Sequence, residues 1–371
     1  MNEPEPLQQV GRTFVIHKKR RFSFFGGCDY FRMSSHPEVL RAVKTGLAKY
    51  GLNVAASRVT TGNHALYRKL ETALARFFGA PAALLVSNGF STNPVVAQAL
   101  RNDFSHVLLD AKAHVSLVEA SRLFGCPVVK FKNRDPEDLR RVLSRLGRKS
   151  KPIVLTDGVY TQSGGIAPLR EYLKVAGPRV TLLVDDSHGA GVVGRTGRGT
   201  PEQTGVSRGQ IIQTVTLSKA FGVYGGAILC SGELRGRIFA GSAMFAGSTP
   251  LPLPLANAAL RAIEILRKDR IFLKRLNHNA NFVKTALRAA GFSVPLTPVP
   301  VVAINPGNAV RAAALRRSLI GHGVYPSFVE YPGGPAGGYF RFVISSEHSK
   351  RQLEDLVAAA SCFQESLCLS S

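Results

Sequence analysis

The stretch Thr214-Val215-Thr216-Leu217-Ser218-Lys219-Ala220-Phe221-Gly222 decides the fold, together with Leu182-Leu183-Val184-Asp185-Asp186-Ser187-His188-Gly189 upstream of it. In each stretch a short apolar run, typical of a buried strand, ends abruptly in polar residues. In open α/β sheets such polar residues lie at the ends of the strands, where ligands bind. The two stretches therefore predict a lysine and an acid at one edge of a sheet.

These residue types match the needs of one cofactor. A lysine at the end of a buried strand can lose its proton through desolvation and act as an amine nucleophile. Pyridoxal 5'-phosphate requires such a lysine for its Schiff base, an acid beside its pyridine nitrogen, and hydroxyls or backbone amides for its phosphate. Asp185, Thr216, Ser218 and Lys219 supply these groups. A Ser-Lys pair alone is more often an ordinary surface pair, so the combination carries the interpretation.

Apolar strands alternate with helices on either side of these stretches. Helices are predicted over 37–50 and 65–78, ending at Gly51 and Gly79. The alternation then predicts strands over 83–86, 107–109, 128–131, 153–156, 181–184 and 211–215, with helices after most of them. Strands joined by helical crossovers predict an α/β fold with a mainly parallel sheet covered by helices on both faces.

The character of the chain changes near its two ends. Residues 1–45 are predicted to form an N-terminal arm and the first helix, 46–250 a large cofactor-binding domain, and 251–371 a smaller C-terminal α/β domain. The last domain has a long helical stretch over 255–290 that breaks near Asp269, a helix over 309–320, a strand over 339–345 and a closing helix.

The motifs, taken in order, resemble the α-oxoamine synthase family of fold-type-I pyridoxal-phosphate enzymes. The resemblance extends from about His36 to about Glu347. It is carried by many short blocks that occur in the family's order: 36–39, Ser57-Arg58 with Gly62, Leu70-Glu71, Ser87-Asn88-Gly89-Phe90-Ser91-Thr92-Asn93, Asp110 with His114 and Ser116, 185–189, 216–219, Ser248-Thr249-Pro250, and Phe340-Arg341-Phe342 before Ser345.

The resemblance implies a set of site residues. Catalytic roles fall on Lys219, His188, Asp185 and His114, with Lys219 as the Schiff-base lysine and His114 stacked on the pyridine ring. Ser248 and Thr249 would reach the phosphate of a partner subunit's cofactor, which implies a homodimer with shared sites. The implied cofactor-binding residues are Asn88, Gly89, Phe90, His114, Thr161, Asp185, His188, Thr216, Ser218, Lys219, Ser248 and Thr249.

The resemblance also implies the substrates. Arg341 would clamp an amino-acid carboxylate bidentately, a geometry that lysine cannot copy. Ser57 and Arg21 are further substrate-binding candidates, and the basic cluster His17-Lys18-Lys19-Arg20-Arg21 is a candidate contact for coenzyme A or an acyl-carrier protein. The implied reaction is a decarboxylative Claisen condensation of an amino acid with an acyl thioester. L-alanine and a pimeloyl thioester, as in biotin synthesis, are the first choice.

Alternatives to this function remain open. Another synthase of the family would use glycine or serine with a different acyl group, and a fold-type-I aminotransferase would use the same lysine and acid. Two departures from the family bear on the substrate. Tyr67 stands where the family usually has histidine, although His64 lies about one helical turn away, and Ser163 replaces a carboxylate in the segment 157–164.

Composition limits the other function classes. The 371 residues are 45% hydrophobic, without an apolar run long enough for a membrane span or the layout of a signal peptide, so we expect a cytoplasmic protein. Five scattered cysteines predict reduced thiols rather than disulfides or a metal site. The net charge of +24 is interpreted first as a solvated basic surface, and a non-catalytic scaffold that binds polyanions is the alternative. No nucleic-acid-binding motif accompanies this charge, and a nucleic-acid partner is not expected.

Overall fold

This computed structural model describes residues 6–147, 149–330, 335 and 337–368. The strands are β1 (Gln8–Val10), β2 (Phe14–His17), β3 (Arg20–Ser23), β4 (Ala82–Val86), β5 (His106–Asp110), β6 (Val128–Phe131), β7 (Pro152–Asp157), β8 (Val159–Tyr160), β9 (Gly165–Ile166), β10 (Thr181–Asp185), β11 (Ile211–Thr216), β12 (Gly226–Cys230), β13 (Val301–Ile304), β14 (Phe328–Val329) and β15 (Tyr339–Val343). The α-helices are α1 (Pro37–Tyr50), α2 (Ala65–Phe78), α3 (Thr92–Ala99), α4 (Val115–Leu123), α5 (Pro136–Arg145), α6 (Leu169–Ala176), α7 (Thr200–Gln203), α8 (Gly232–Gly241), α9 (Ala243–Ala246), α10 (Leu253–Lys268), α11 (Ile271–Ala289), α12 (Ala309–Gly321) and α13 (Lys350–Cys368).

The chain divides into two compact units. The sheet unit comprises His36–Tyr160 and Ile166–Arg270, and the terminal unit comprises the described parts of Met1–Ser35, Thr161–Gly165 and Ile271–Ser371. These boundaries differ from the predicted ones at 45 and 250. The first helix and α10 pack against each other, so both belong to the sheet unit. The N-terminal residues instead group with the C-terminal part of the chain.

A seven-stranded sheet in the order β4-β12-β11-β10-β7-β5-β6 forms the centre of the sheet unit. Its strands are parallel except for β12, which pairs antiparallel with both β11 and β4. The predicted α/β class with a mainly parallel sheet is therefore confirmed. The strand β12 was not predicted. Its short apolar run directly follows several glycines, and in the sequence it cannot be distinguished from the loop to which these glycines belong.

Apolar side chains cover both faces of this sheet. One face packs α3, α4 and α8 through residues such as Leu183, Val96 and Leu117. The other face, which carries Leu182 and Val184, packs α5 and α6. Because neighbouring residues of one strand point to opposite faces, a strand buried on both sides appears as a continuous apolar run. This explains why the run before Asp185 contains few polar residues.

The terminal unit contains two antiparallel three-stranded sheets, β1-β2-β3 and β13-β15-β14. Residues of the predicted N-terminal arm thus form strands, which were not predicted within it. The basic cluster forms the tight turn and outer face of the hairpin β2–β3, in which His17 pairs with Arg20. The Arg21 guanidinium lies 3.7 Å from the centre of the Phe14 ring. The alternating apolar and polar pattern of a strand is therefore not visible in this part of the sequence. Arginines that stack on aromatic rings occupy positions where apolar residues are usual.

A buried histidine in the terminal unit gives a prediction about acid stability. The Nδ1 atom of His348 accepts a hydrogen bond from the Ser345 backbone at 3.0 Å, Nε2 contacts the Phe24 carbonyl at 3.1 Å, and the ring stacks on Phe25. Burial, followed by the charge of Arg32, lowers the pKa of His348 to about 3. The unfolded chain therefore binds a proton near pH 6.5 that the folded chain refuses.

We expect the contribution of His348 to the free energy of unfolding to be fully present above pH 6.5 and to fall by roughly 3–5 kcal/mol as the pH decreases toward 3. In His348→Gln this part of the pH dependence should be lost, whereas the exposed His278→Gln should retain it. Urea unfolding of each protein between pH 4 and 7 measures the slope. Equal slopes for His348→Gln and the wild type would contradict the prediction.

Candidate active site

The predicted lysine and histidine meet at the carboxyl end of the sheet. Lys219 follows β11 and His188 follows β10, and these two strands are parallel neighbours. The Nζ atom of Lys219 lies 2.8 Å from Nε2 of His188. Both side chains are partly exposed, so a ligand can reach them. The two nitrogen atoms are therefore close enough to share a proton. An amine that acts as a nucleophile or as a base requires such an arrangement.

Asp185, the last residue of β10, is held by side chains from two helices. Its Oδ2 accepts hydrogen bonds from Asn93 Nδ2 at 2.7 Å and Ser116 Oγ at 3.2 Å, and its Oδ1 accepts one from the Ser187 backbone at 3.1 Å. The Asn93 amide is oriented in turn by Thr214, whose Oγ1 donates to Asn93 Oδ1 at 2.7 Å. Asn93 and Ser116 belong to the recognised blocks, but sequence analysis gave neither a role. Both residues lie in the first turn of a helix that follows a strand, and this position was the one sequence signal that could have indicated a role in the site.

His114 is the N-cap residue of α4. Its Nδ1 accepts a hydrogen bond from the Ser116 backbone at 3.2 Å, so the proton of the neutral ring is on Nε2. Desolvation lowers the pKa of the His114 imidazole, which favours that neutral form. The Phe90 ring lies edge-on at 6.4 Å and is half exposed. A neutral, partly exposed ring here is suited to stack on a flat ligand.

Asp157, at the end of β7, is a site residue that sequence analysis did not identify. Its Oδ2 accepts a hydrogen bond from the backbone of His114 at 3.0 Å. Desolvation, and then the charge of Asp185, raises the pKa of Asp157 well above its usual value. The two carboxyls come together because β7 and β10 are parallel neighbours with Asp157 opposite Asp185. The order of strands in the sheet, which the sequence does not state, creates this pair.

Asp186 has a structural role, because its carboxyl group is held by hydrogen bonds from other parts of the sheet unit. It accepts hydrogen bonds from the Thr200 backbone at 2.8 Å, from Thr200 Oγ1 at 2.6 Å and from Gln213 Nε2 at 2.6 Å. Burial raises its pKa to about 7. A Cβ atom at Gly189 would lie 2.0 Å from Asp186 Oδ1, so only glycine fits beside this carboxylate. Asp186 thus fixes the loop that carries His188.

The segment from Ser87 to Phe90, between β4 and α3, forms a cradle for an anion. A Cβ atom at Gly89 would lie 2.6 Å from the Thr216 Cβ, so the glycine lets the two loops approach closely. Thr216 Oγ1 and Ser218 Oγ are 2.7 Å apart on the facing loop. Asn88 Oδ1 accepts a hydrogen bond from the Ser91 backbone at 2.9 Å, which shapes the start of α3. Hydroxyls beside a helix start fit a phosphate group.

Ser57, Ser248 and Thr249 also lie in the sheet unit. Ser248 Oγ donates to the Met244 carbonyl, and Ser57 Oγ donates to the Ala246 carbonyl. The Thr249 carbonyl accepts a hydrogen bond from Ser87 Oγ at 2.7 Å, which ties this loop to the anion cradle. Their roles toward a partner subunit and a substrate stay predictions.

The remaining predicted residues belong to the terminal unit. Arg341 lies on β15 opposite Ala303 and is partly buried. Thr161 is partly buried in the segment that follows β8, and Arg21 is exposed on β3. Their roles toward cofactor and substrate also stay predictions.

Tyr67, one of the two departures from the family, and the nearby His64 both have local partners. The Tyr67 hydroxyl donates to the Leu251 carbonyl at 2.6 Å and is fully buried, and burial raises its pKa to about 12. His64 caps α2 by accepting a hydrogen bond from the Leu66 backbone at 3.1 Å. These contacts give each residue a function in packing.

The amine, the carboxylate, the neutral imidazole and the anion cradle match the groups that a fold-type-I pyridoxal-phosphate enzyme requires. The chain belongs to the aminotransferase class I and II family, whose model matches residues 28–359. It belongs there to the α-oxoamine synthases, which are pyridoxal-phosphate-dependent acyltransferases, and its cofactor is pyridoxal 5'-phosphate. None of the helices in the described ranges has the length and hydropathy of a membrane span.

Similar proteins cover nearly the whole chain. An 8-amino-7-oxononanoate synthase from Thermoanaerobacter pseudethanolicus is 33% identical over 346 residues, which cover 91% of this chain and 85% of the relative. A serine palmitoyltransferase from Sphingobacterium spiritivorum is 31% identical over 358 residues, with 95% and 89% covered. The solved serine palmitoyltransferase of S. paucimobilis, with a bound PLP-myriocin aldimine, has a TM-score of 0.90 and 27% identity, with 98% and 92% covered.

Proposed function

We propose that this enzyme condenses an amino acid, L-alanine in the first instance, with an acyl thioester such as a pimeloyl thioester. The products are an α-amino ketone, carbon dioxide and the free thiol, as in biotin synthesis. The 2.8 Å contact between Lys219 and His188, next to the anchored Asp185, carries this proposal. The relatives named 8-amino-7-oxononanoate synthase support the choice of substrates.

The chain's own residues divide the chemistry among them. Bound pyridoxal phosphate supplies the electron sink for the charge left on the substrate α-carbon. The Lys219 amine accepts the α-proton and holds it at Nζ until the product takes it back. His188 donates a hydrogen bond toward the oxygen that gains charge when the acyl group is attacked. Asn93 and Ser116 keep Asp185 in place, and His114 covers the site.

The partners are part of the proposal. We infer a homodimer, because Leu40, Leu47 and Leu52 of the sheet unit are large apolar side chains that remain about half exposed or more. The acyl carrier is coenzyme A or an acyl-carrier protein. The free cysteines among the described residues are typical of a reducing compartment and support a cytoplasmic location.

A second function has specific support. Serine palmitoyltransferases match this chain in sequence at close to the same level as the 8-amino-7-oxononanoate synthases, and in structure with a higher TM-score, 0.90 against 0.80. L-serine and a palmitoyl thioester are therefore the second candidate substrates.

Turnover assays with matched substrates distinguish the candidates. The purified enzyme is given L-alanine, glycine or L-serine with pimeloyl-coenzyme A or palmitoyl-coenzyme A, and thiol and carbon dioxide release are both measured. We expect release with L-alanine and the pimeloyl thioester. Release only with L-serine and the palmitoyl thioester supports the second candidate. Turnover that consumes a 2-oxo acid and releases no thiol would identify an aminotransferase and overturn the proposal.

Arg341→Lys tests the proposed carboxylate clamp. Because lysine keeps the charge but loses the two parallel hydrogen bonds, we expect the KM for the amino acid to rise about 10- to 100-fold. The KM for the acyl thioester should change little. Arg351→Lys, an exposed arginine of the same unit, is the matched control. An unchanged amino-acid KM in Arg341→Lys would remove Arg341 from the substrate site.

A further inference from the structure

A lysine is buried in the core of the terminal unit, and it has no carboxylate partner among the residues that the structure describes. Lys284 lies on α11, and only 1% of it is exposed. Within the described ranges its Nζ donates hydrogen bonds to two neutral acceptors, the Thr297 carbonyl at 2.8 Å and Thr297 Oγ1 at 3.3 Å. Burial lowers its pKa to about 8. A buried ammonium that is not part of an ion pair costs stability, so stability alone does not explain this residue.

The hydrogen bonds continue from Lys284 to the segment Thr161–Gly165. The Thr297 hydroxyl accepts from Lys284 and donates to the Gly164 carbonyl at 2.6 Å. Gly164 has a φ of +65°, and a Cβ atom there would lie 3.1 Å from Pro295 Cγ. The segment groups with the terminal unit, whereas the residues before and after it belong to the sheet unit. The bond from Thr297 fastens this short segment to the unit that contains Lys284.

We propose that Lys284 is a positioning residue that acts through Thr297 to hold the segment Thr161–Gly165. The Thr161 hydroxyl in this segment is one of the groups assigned above to the cofactor, so the consequence for the cofactor rests on the proposed function. A charged donor polarises the Thr297 hydroxyl and strengthens its bond to Gly164. A methionine would fill the same space without this effect, which explains the presence of lysine at a costly position.

Amide hydrogen exchange of the full-length protein tests the anchor without reference to activity. In Lys284→Met and in Thr297→Val we expect the amides of 162–165 to exchange about fivefold faster. The loss of one hydrogen bond corresponds to about a fivefold change, so the dissociation constant for pyridoxal phosphate should rise about fivefold. The double variant should be no worse than Thr297→Val alone, because both substitutions break one chain of bonds.

Two controls match these variants. Thr297→Ser keeps the hydroxyl, and Lys274→Met removes an exposed lysine from the same helix. Both should exchange and bind the cofactor like the wild type. Lys284→Met should melt no lower than the wild type, since the substitution removes a buried charge.

The outcomes separate this proposal from the proposed function. Unchanged exchange of 162–165 in Lys284→Met and Thr297→Val would overturn the anchor, as would faster exchange throughout the terminal unit with a lower melting temperature. Faster exchange of this segment with unchanged cofactor affinity would overturn the link to the cofactor. If wild-type protein binds no pyridoxal phosphate, the proposed function fails, and the exchange measurement alone decides whether the anchor exists.

Discussion

Lys219→Ala is expected to lose activity by about 10⁴-fold or more, because it removes both the covalent attachment point of the cofactor and the base that takes the substrate α-proton. The visible absorbance of lysine-bound pyridoxal phosphate should disappear as well. The 2.8 Å contact with His188 places the Lys219 amine beside a second group that can exchange a proton with it. His188 remains in the variant, but it then has no amine beside it with which to exchange a proton.

Thiol-release assays and absorbance spectra of the purified protein, with pyridoxal phosphate added in excess, measure both effects. Lys174→Ala is the control, because Lys174 is an exposed lysine on α6. It should keep the spectrum and the rate of the wild type. If Lys219→Ala retained the visible band of the bound cofactor and turned over normally, Lys219 would not be the cofactor lysine.

The sequence predicted the sheet because strands buried on both faces leave a strong local pattern. The apolar runs before Asp185 and Lys219 lie at neighbouring positions in the sheet, as the parallel βαβ pattern requires. The antiparallel β12 was not recognised because its short apolar run follows a Gly-rich segment, and strand direction has no local pattern that could have indicated it. The hairpin β2–β3 escaped for another reason, because Arg21 covers an aromatic ring where sequence patterns expect an apolar residue.

Part of the site could be predicted because apolar strands leave a strong local pattern in the sequence. Asp185, His188 and Lys219 stand out because each follows an apolar strand directly. The residues that support them depend on contacts between distant parts of the chain. Asn93 and Ser116 are 92 and 69 positions away from Asp185. Their side chains reach it because α3 and α4 begin at the same edge of the sheet, and this is a consequence of strand order.

Asp185→Asn tests that support together with the role of the acid. Three donors surround the carboxylate, from Asn93, Ser116 and the Ser187 backbone. An asparagine here would lose the negative charge, and whichever way its amide turned, its NH₂ group would face at least one of these donors. Because a preorganised charge at a reacting centre contributes about 10²–10³-fold to the rate, we expect kcat to fall by that factor. Lys219 is untouched, so the cofactor should still bind.

The comparison with Ser116→Ala separates charge from position. Removing the 3.2 Å hydrogen bond from Ser116 leaves the carboxylate in place, and the expected loss in kcat is about fivefold, corresponding to one hydrogen bond. Stopped-flow turnover and cofactor absorbance for both variants measure the difference. Equal losses would mean that Asp185 acts only through its hydrogen bonds. A much larger loss in Asp185→Asn, with cofactor bound in both proteins, would mean that the negative charge at the end of β10 is what the reaction uses.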